Sequence, residues 1–461
     1  MFRLYKKFIN NSLLLLTLSS CKKFVEINPP VTQLVTASVF NNSNTATAAQ
    51  IAVYLQMNSN AIVRATGLSS DEFINFSNSS IYIDLYKNSL NANSDASGIG
   101  IWSQVYNYIS QENAIIEGLQ GSNNVGAEIK SQLIGEAKFV RAFWYFYLSN
   151  LYGDVPLVTS TNYKITSTIV RASRSLVYQQ IIADLKDAQK LLNSEYLDAT
   201  DTSVTVDRVR PTKWAATALL ARVYLYTNDY VEAETQATSV INNVAKFSLK
   251  VDLDSVFLKN STEAIWQLMP SQPSKNNTPE GNFLILAAAP SAVALSSQFL
   301  NNFETGDNRK LNWVKSITVS GVTYYYPFKY KIRIGSTITE YSMVLRLAEQ
   351  YLIRSESRVQ QSNIEGAASD LNAIRNRAGI PNTTANTKQQ LLTAISHERQ
   401  VELFTEWGHR WLDLKRFNIV DTVMGAVTPQ KGGTWNSYQQ LYPIPPSDLL
   451  TDIYLTQNLG Y

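Results

Sequence analysis

The chain has 461 residues, of which 45% are hydrophobic and 17% charged; this is enough apolar side chain for a sizeable core and excludes a disordered or coiled-coil chain. Lys plus Arg number 40 and Asp plus Glu 37, and the surplus cations Arg3, Lys6 and Lys7 all lie in the first twenty residues. The remainder is electrically neutral and has no long basic run, which excludes nucleic acid as a partner.

In chain order, residues 1–20 read as a signal peptide: a basic start, the short apolar run Leu13 to Leu18, then small residues. That run is too short to span a bilayer. Leu18-Ser19-Ser20-Cys21 resembles the lipobox of bacterial lipoproteins, and Cys21 is the only Cys in the chain. The resemblance implies lipidation of Cys21, a multi-chain anchor that holds a protein on a membrane without spanning it. Residues 21–32 read as a lipidated tether ending at Pro29-Pro30, and 33–461 as a single domain.

Helical periodicity dominates the rest of the chain. It predicts helices at 102–119, 127–152 (stopped by Gly153 and Pro156), 175–192, 212–227, 230–243, 341–360, 364–378, 387–406 and 409–417. Within 217–245, Leu220, Ala221, Tyr224, Tyr230, Ala233 and Val240 fall at the spacing of a tetratricopeptide repeat, with small residues where two helices cross. A weaker copy lies at 351–379, through Tyr351, Ser355, Ala367 and Ile374. Polar, irregular stretches separate these blocks at 66–100, 193–210, 246–340 and 421–461. The longest has a strand-like alternation from Ile317 to Tyr326. Loops of such length are usually functional. The expected fold class is mainly α: tetratricopeptide-like helix pairs with long irregular loops, a few short strands and a ligand-facing insert at about 246–340.

No catalytic motif is found. His397-Glu398 lacks the second His of HExxH, and there is no GxSxG, P-loop, dinucleotide fingerprint or DxDxDG calcium loop. Two His and one Cys are too few for a His/Cys metal site. No cofactor, metal or catalytic residue is therefore assigned. Asp71-Glu72 and Asp252/Asp254 are carboxylate pairs by type alone. Glu398, Arg399, Glu402, His409, Arg410 and Asp413 read as a salt-bridged helix junction. The loop rings are more informative: Phe76, Tyr82 and Tyr86, then Trp313 and Tyr324, Tyr325 and Tyr326, with Trp435 and Tyr438 near the C-terminus. An exposed ring packs on the C–H face of a sugar while Asn, Asp and Arg bond its hydroxyls. The alternative is that such rings pin loops to the scaffold.

Several stretches taken together resemble the SusD/RagB-like outer-membrane nutrient-binding lipoproteins of Bacteroidetes. They are Cys21 to Phe24 (CKKF), Ser70-Asp71-Glu72 ahead of Trp102 to Tyr106 (WSQVY), Ala137 to Phe146 (AKFVRAFWYF) and Leu151 to Pro156 (LYGDVP). Val177-Tyr178 with Ile181 to Leu185, Glu398-Arg399 with Glu402 to Phe404, Gly408 to Arg416 (GHRWLDLKR), Tyr442 to Pro445 and Thr456 to Asn458 complete the set. The resemblance implies four tetratricopeptide-like helix pairs and a surface-exposed lipoprotein on the outer membrane. It implies a SusC-like TonB-dependent transporter as partner, closed by this protein as a lid, and an oligosaccharide or other nutrient as ligand, with no catalysis. It makes Arg141, Trp144, Tyr152, Asp154, Arg399, Glu402, Arg410, Trp411 and Asp413 scaffold. It points to Phe76, Tyr82, Tyr86, Trp313 and Tyr324 to Tyr326 as ligand-facing. No Trp precedes Trp102 in the first of these regions, so a peptide or small glycan fits as well as a long polysaccharide. Two other classes stay open: a surface glycosidase or peptidase with a carboxylate pair, and a structural interaction protein.

Overall fold

The computed structural model describes residues 39–94, 99–249, 252–271 and 277–461. The signal, Cys21 and the tether lie outside them. Short polar side chains start most of the long helices by accepting a backbone N–H that the first turn leaves unpaired. Ser173 does so for α6 (Arg174–Leu191), Thr212 for α7 (Lys213–Tyr226) and Asp229 for α8 (Tyr230–Ile241). Asn363 caps α10 (Ile364–Arg377) and Thr387 caps α11 (Lys388–Glu402). Upstream lie α1 (Ser43–Met57), α2 (Ala61–Ser69), α3 (Ser80–Tyr86), α4 (Ile101–Gly121) and α5 (Ala127–Tyr152). The remaining long helices are α9 (Leu347–Gln360), α12 (His409–Arg416) and α13 (Val420–Gln430).

Consecutive helices pack as neighbours from α4 through α11. The pair α7–α8 lies against the pair α9–α10 although more than a hundred residues separate them in sequence. The two repeat-like segments are thus adjacent layers of one stack. α7 is apolar on every side and buried accordingly. Arg222 ties it to α9 through two 2.6 Å bonds to the carboxylate of Glu349. Leu352, Leu371, Ile374, Leu391 and Ile395 close the core between α9, α10 and α11. Each such fully buried aliphatic side chain contributes about 1.5–3 kcal/mol. Around α5 the core is aromatic: Phe143 meets Trp266 edge-on at 5.5 Å and Trp407 at 5.3 Å.

Four two-stranded antiparallel sheets complete the described residues. β1 (Phe73–Asn75) pairs with β5 (Val293–Leu295), and β2 (Val155–Pro156) with β3 (Arg171–Ala172). β4 (Ala264–Leu268) pairs with β8 (Ser342–Arg346), and β6 (Val314–Val319) with β7 (Val322–Pro327).

The structure corrects several expected boundaries. Residues 342–346 form a strand and the helix begins at Leu347. Both β4 and β8 are buried along their whole length, so neither shows the alternation of a half-exposed strand. The stretch 66–100 is not irregular throughout, because it holds the end of α2, then β1 and α3. The alternation at 317–326 is a hairpin. Its two-residue turn, Ser320-Gly321, has positive φ at both positions, the geometry that matches strand twist. No helix among the described residues is long and apolar enough to cross a membrane.

The signature residues act inside this scaffold. Arg141 reaches Asp184 and Asn113, and Arg399 holds Asp413 at 2.7 Å. The Asn458 amide bridges the carbonyls of Tyr152 and Tyr442 and ties the C-terminus to the end of α5.

Candidate functional site

The β1–β5 ladder continues one residue past β1, where the Phe76 N–H donates to Ala292 O at 2.8 Å. Asn75 then turns the chain by accepting the Ser77 N–H at 3.0 Å. Phe76 is left at the edge of the sheet, 36% exposed. Its ring meets Tyr324 edge-to-face at 5.5 Å and 83°. Side chains alternate along β7, so Tyr324 and Tyr326 share one face and Tyr325 takes the other. Tyr326 leans on Phe328 with centroids 6.1 Å apart, while Tyr325 is 41% exposed.

Beside Phe76, Ala292 and Val293 line a cleft of about 410 Å³ together with Asn60, Asn282, Phe283 and Arg333. Its position follows from the chain. Thr278 caps a short helix, Pro279–Leu284, and Ala287-Ala288-Ala289 then runs exposed, without bulky side chains, as far as Pro290. Gly281 lets this helix approach the next segment; a Cβ there would lie 2.6 Å from Ile332 O. Asn60 reaches Pro279 O, and one turn further on the Arg64 guanidinium lies 5.6 Å from the Tyr82 ring centre. Beneath the short helix, the Glu280 carboxylate accepts the Ser342 hydroxyl at 2.7 Å. Burial raises that carboxyl to about 7.

Phe76, Tyr324 and, through α2, Tyr82 are thus brought to one region. Tyr86 stands apart, with the Lys431 ammonium 5.0 Å from its ring centre. Burial pushes Lys431 down to about 7, against the pull of Asp71. Trp313 is a correction. It is fully buried, donates to Leu253 O at 2.9 Å and packs with Phe257, Phe404 and Lys329. It is a core ring and is not available to a ligand. The rings expected at the face also leave out Asn60, Asn282 and Arg333, which no spacing rule distinguishes among the chain's many polar residues.

Asp71, Glu72, Glu398 and Glu402, named from sequence, serve the scaffold. Arg410 grips Asp71 through bonds of 2.8 and 2.6 Å, and Glu72 accepts the Thr405 N–H at 2.9 Å. Asp254 pairs with Lys331 at 2.8 Å. Glu398 and Glu402 share Arg309. Phe76 and Tyr324 lie near a cleft bearing amides and a guanidinium, groups that can bind and orient a polyol.

A stack of helix pairs bearing these loops places the chain among helical scaffold proteins with tetratricopeptide-like layers. Residues 23–225 match a family model described as "Starch-binding associating with outer membrane", and residues 297–461 match the SusD family model. The chain belongs to the SusD/RagB-like family. A SusD-like protein of Formosa agariphila is 25% identical over 411 residues, covering 77% of this chain and 79% of the relative. A SusD superfamily protein from Bacteroides vulgatus has the same fold, with a TM-score of 0.79 at 18% identity, over 92% of this chain and 100% of its own. A laminarin-binding SusD-like protein superposes with a TM-score of 0.76 at 22% identity, over 90% and 99%.

Proposed function

We propose that this chain is a non-catalytic cell-surface lipoprotein that binds a glycan at the Phe76–Tyr324 face. It delivers the glycan to a SusC-like TonB-dependent outer-membrane transporter and closes over that transporter as a lid. The observation that carries the reading is the half-exposed ring pair Phe76–Tyr324, whose strand is bonded at Phe76 to Ala292 in the wall of a cleft lined by Asn60, Asn282 and Arg333. The family description, which links starch binding to the outer membrane, and the laminarin-binding structural relative support a carbohydrate ligand. In this reading the mature protein begins at Cys21, whose lipid holds it on the membrane, and residues 21–32 are the tether to a single domain.

The test is a panel of starch, laminarin and peptides, assayed by affinity electrophoresis and calorimetry with product analysis alongside. Glycan binding without cleavage, lost in the Phe76→Ala/Tyr324→Ala double variant, is the expected result. Released product would make the protein an enzyme, and binding of peptide alone would replace the ligand class. Cys21→Ala is expected to move the protein from the membrane fraction to the soluble one; persistent membrane association would remove the lipid anchor from the reading.

A further inference from the structure

A second cleft runs along α11. Gln389, Leu392, Thr393, Ser396, His397 and Gln400 recur at helical spacing and line one wall of a cavity of about 560 Å³. The opposite wall comes from three other places in the chain: Tyr230 at the start of α8, Gln360 at the end of α9, and Phe417 and Asn418 after α12. The volume lies within the range of about 300–1,000 Å³ usual for small-molecule sites. From Gln389 to Gln400 the helix rises about 16 Å, the length of a short oligomer rather than a single ring. Exposure falls along this wall: Gln389 and Thr393 are exposed, Ser396 and His397 half-buried, Gln400 buried. The stripe therefore descends into the molecule instead of lying flat in solvent.

The charges in the cleft are already matched. Arg416 is paired with Glu356 and, at 3.0 Å, with Asp413, while Arg410 is paired with Asp71. The His397 ring shares a 2.8 Å hydrogen bond with Asn302 O. A charged ligand would have to compete with partners at full hydrogen-bond distance. The amides and hydroxyls of the wall suit a neutral one. Two half-buried rings, Tyr230 and Phe417, supply an apolar surface, and the Arg416 guanidinium stacks over Phe417 at 4.3 Å.

We propose that this cleft is a second ligand site, separate from the Phe76 face, for a short neutral oligosaccharide. The chain's two His residues allow a direct test, because His397 lines the cleft and His409 is buried in the core. The full mature chain, labelled with ¹⁵N-histidine, is titrated with maltotriose and with laminaritriose while the imidazole resonances are followed. At least one trisaccharide is expected to shift His397 saturably and leave His409 unmoved. The Phe76→Ala/Tyr324→Ala variant should keep that shift, which separates this site from the first. Ser396→Trp, placed to fill the cleft from a half-exposed position, should weaken it by about tenfold or more with the Tm unchanged. The proposal fails if neither trisaccharide moves His397, or if Ser396→Trp binds with wild-type affinity. It also fails if an acidic trisaccharide or a neutral peptide binds there more tightly than the neutral sugars.

Discussion

Around Glu402, polar side chains face one another in the core; around Phe76 they face outward. Glu402 accepts from Arg346 at 2.6 Å, from Arg309 at 3.0 Å and from Arg377. Glu263 joins Arg346 to Arg377, and Glu398 joins Arg309 to Arg375. Every one of these seven side chains is buried or nearly so. Burial alone would raise the Glu402 carboxyl, but the guanidinium groups of Arg377, Arg346 and Arg309 hold it well below the ordinary range. At the other region the rings are half-exposed, and Asn60, Asn282 and Arg333 rim an open cleft. Charge density in this chain therefore marks where elements are joined. In the proposed reading, recognition falls to amides, one guanidinium and rings at a sheet edge.

The harshest way to break that contrast is to remove the centre of the junction. Glu402→Ala leaves three buried guanidinium groups short of a counter-charge, and removing one partner of a buried pair costs about 3–5 kcal/mol. Denaturant unfolding should show a loss of at least that size, or no folded protein. A variant of near wild-type stability would mean that the junction is not structural, and its acids would return as candidates for chemistry.

Titration sharpens the contrast from beneath the cleft. Among the described residues Glu280 has a hydroxyl partner, Ser342, and burial moves its carboxyl from 4.5 to about 7. The folded state then binds the proton more tightly than the unfolded one. The resulting stability is fully present below about pH 4.5 and is lost as pH rises through about 7, a change of about 3 kcal/mol from this group. Glu280→Gln mimics the protonated form. Its Tm should match the wild type near pH 4.5 and exceed it near pH 8. Parallel Tm profiles for the two proteins would show that Glu280 gains a cation or water in solution.

Much of this arrangement was legible in the sequence, and the failures have physical causes. The helix predicted at 127–152 has the observed bounds because its apolar pattern ends at Gly153, which takes a positive φ of 80°. α1 gives no helical signal in the sequence because it carries almost no apolar stripe. Residues 342–346 read as helix in the sequence because a strand buried on both faces lacks alternation, and its partner β4 lies far upstream. Trp313 stands in a short stretch with no apolar periodicity, and its cage of Phe257, Lys329 and Phe404 is assembled only by the fold. Residue type and loop context single out Phe76 and Tyr324 in the sequence, but their contact depends on the pairing of β1 with β5 and the register of β6 with β7.

The finest test lies within the Tyr324-Tyr325-Tyr326 run, where composition treats three rings alike and strand geometry does not. Tyr324 touches Phe76 beside the cleft, whereas Tyr325 points from the opposite face of the hairpin. Tyr324→Ala should lower glycan affinity by about tenfold, equivalent to about 1.4 kcal/mol. It should leave the Tm nearly unchanged, because the hairpin keeps its backbone pairs. Tyr325→Ala should change both stability and affinity by less than about 0.5 kcal/mol, as surface substitutions away from a site do. Calorimetry on the two variants side by side decides the matter. If Tyr325→Ala costs more affinity than Tyr324→Ala, the ligand lies across the outer face of the hairpin, and the cleft beside Phe76 is not where it is held.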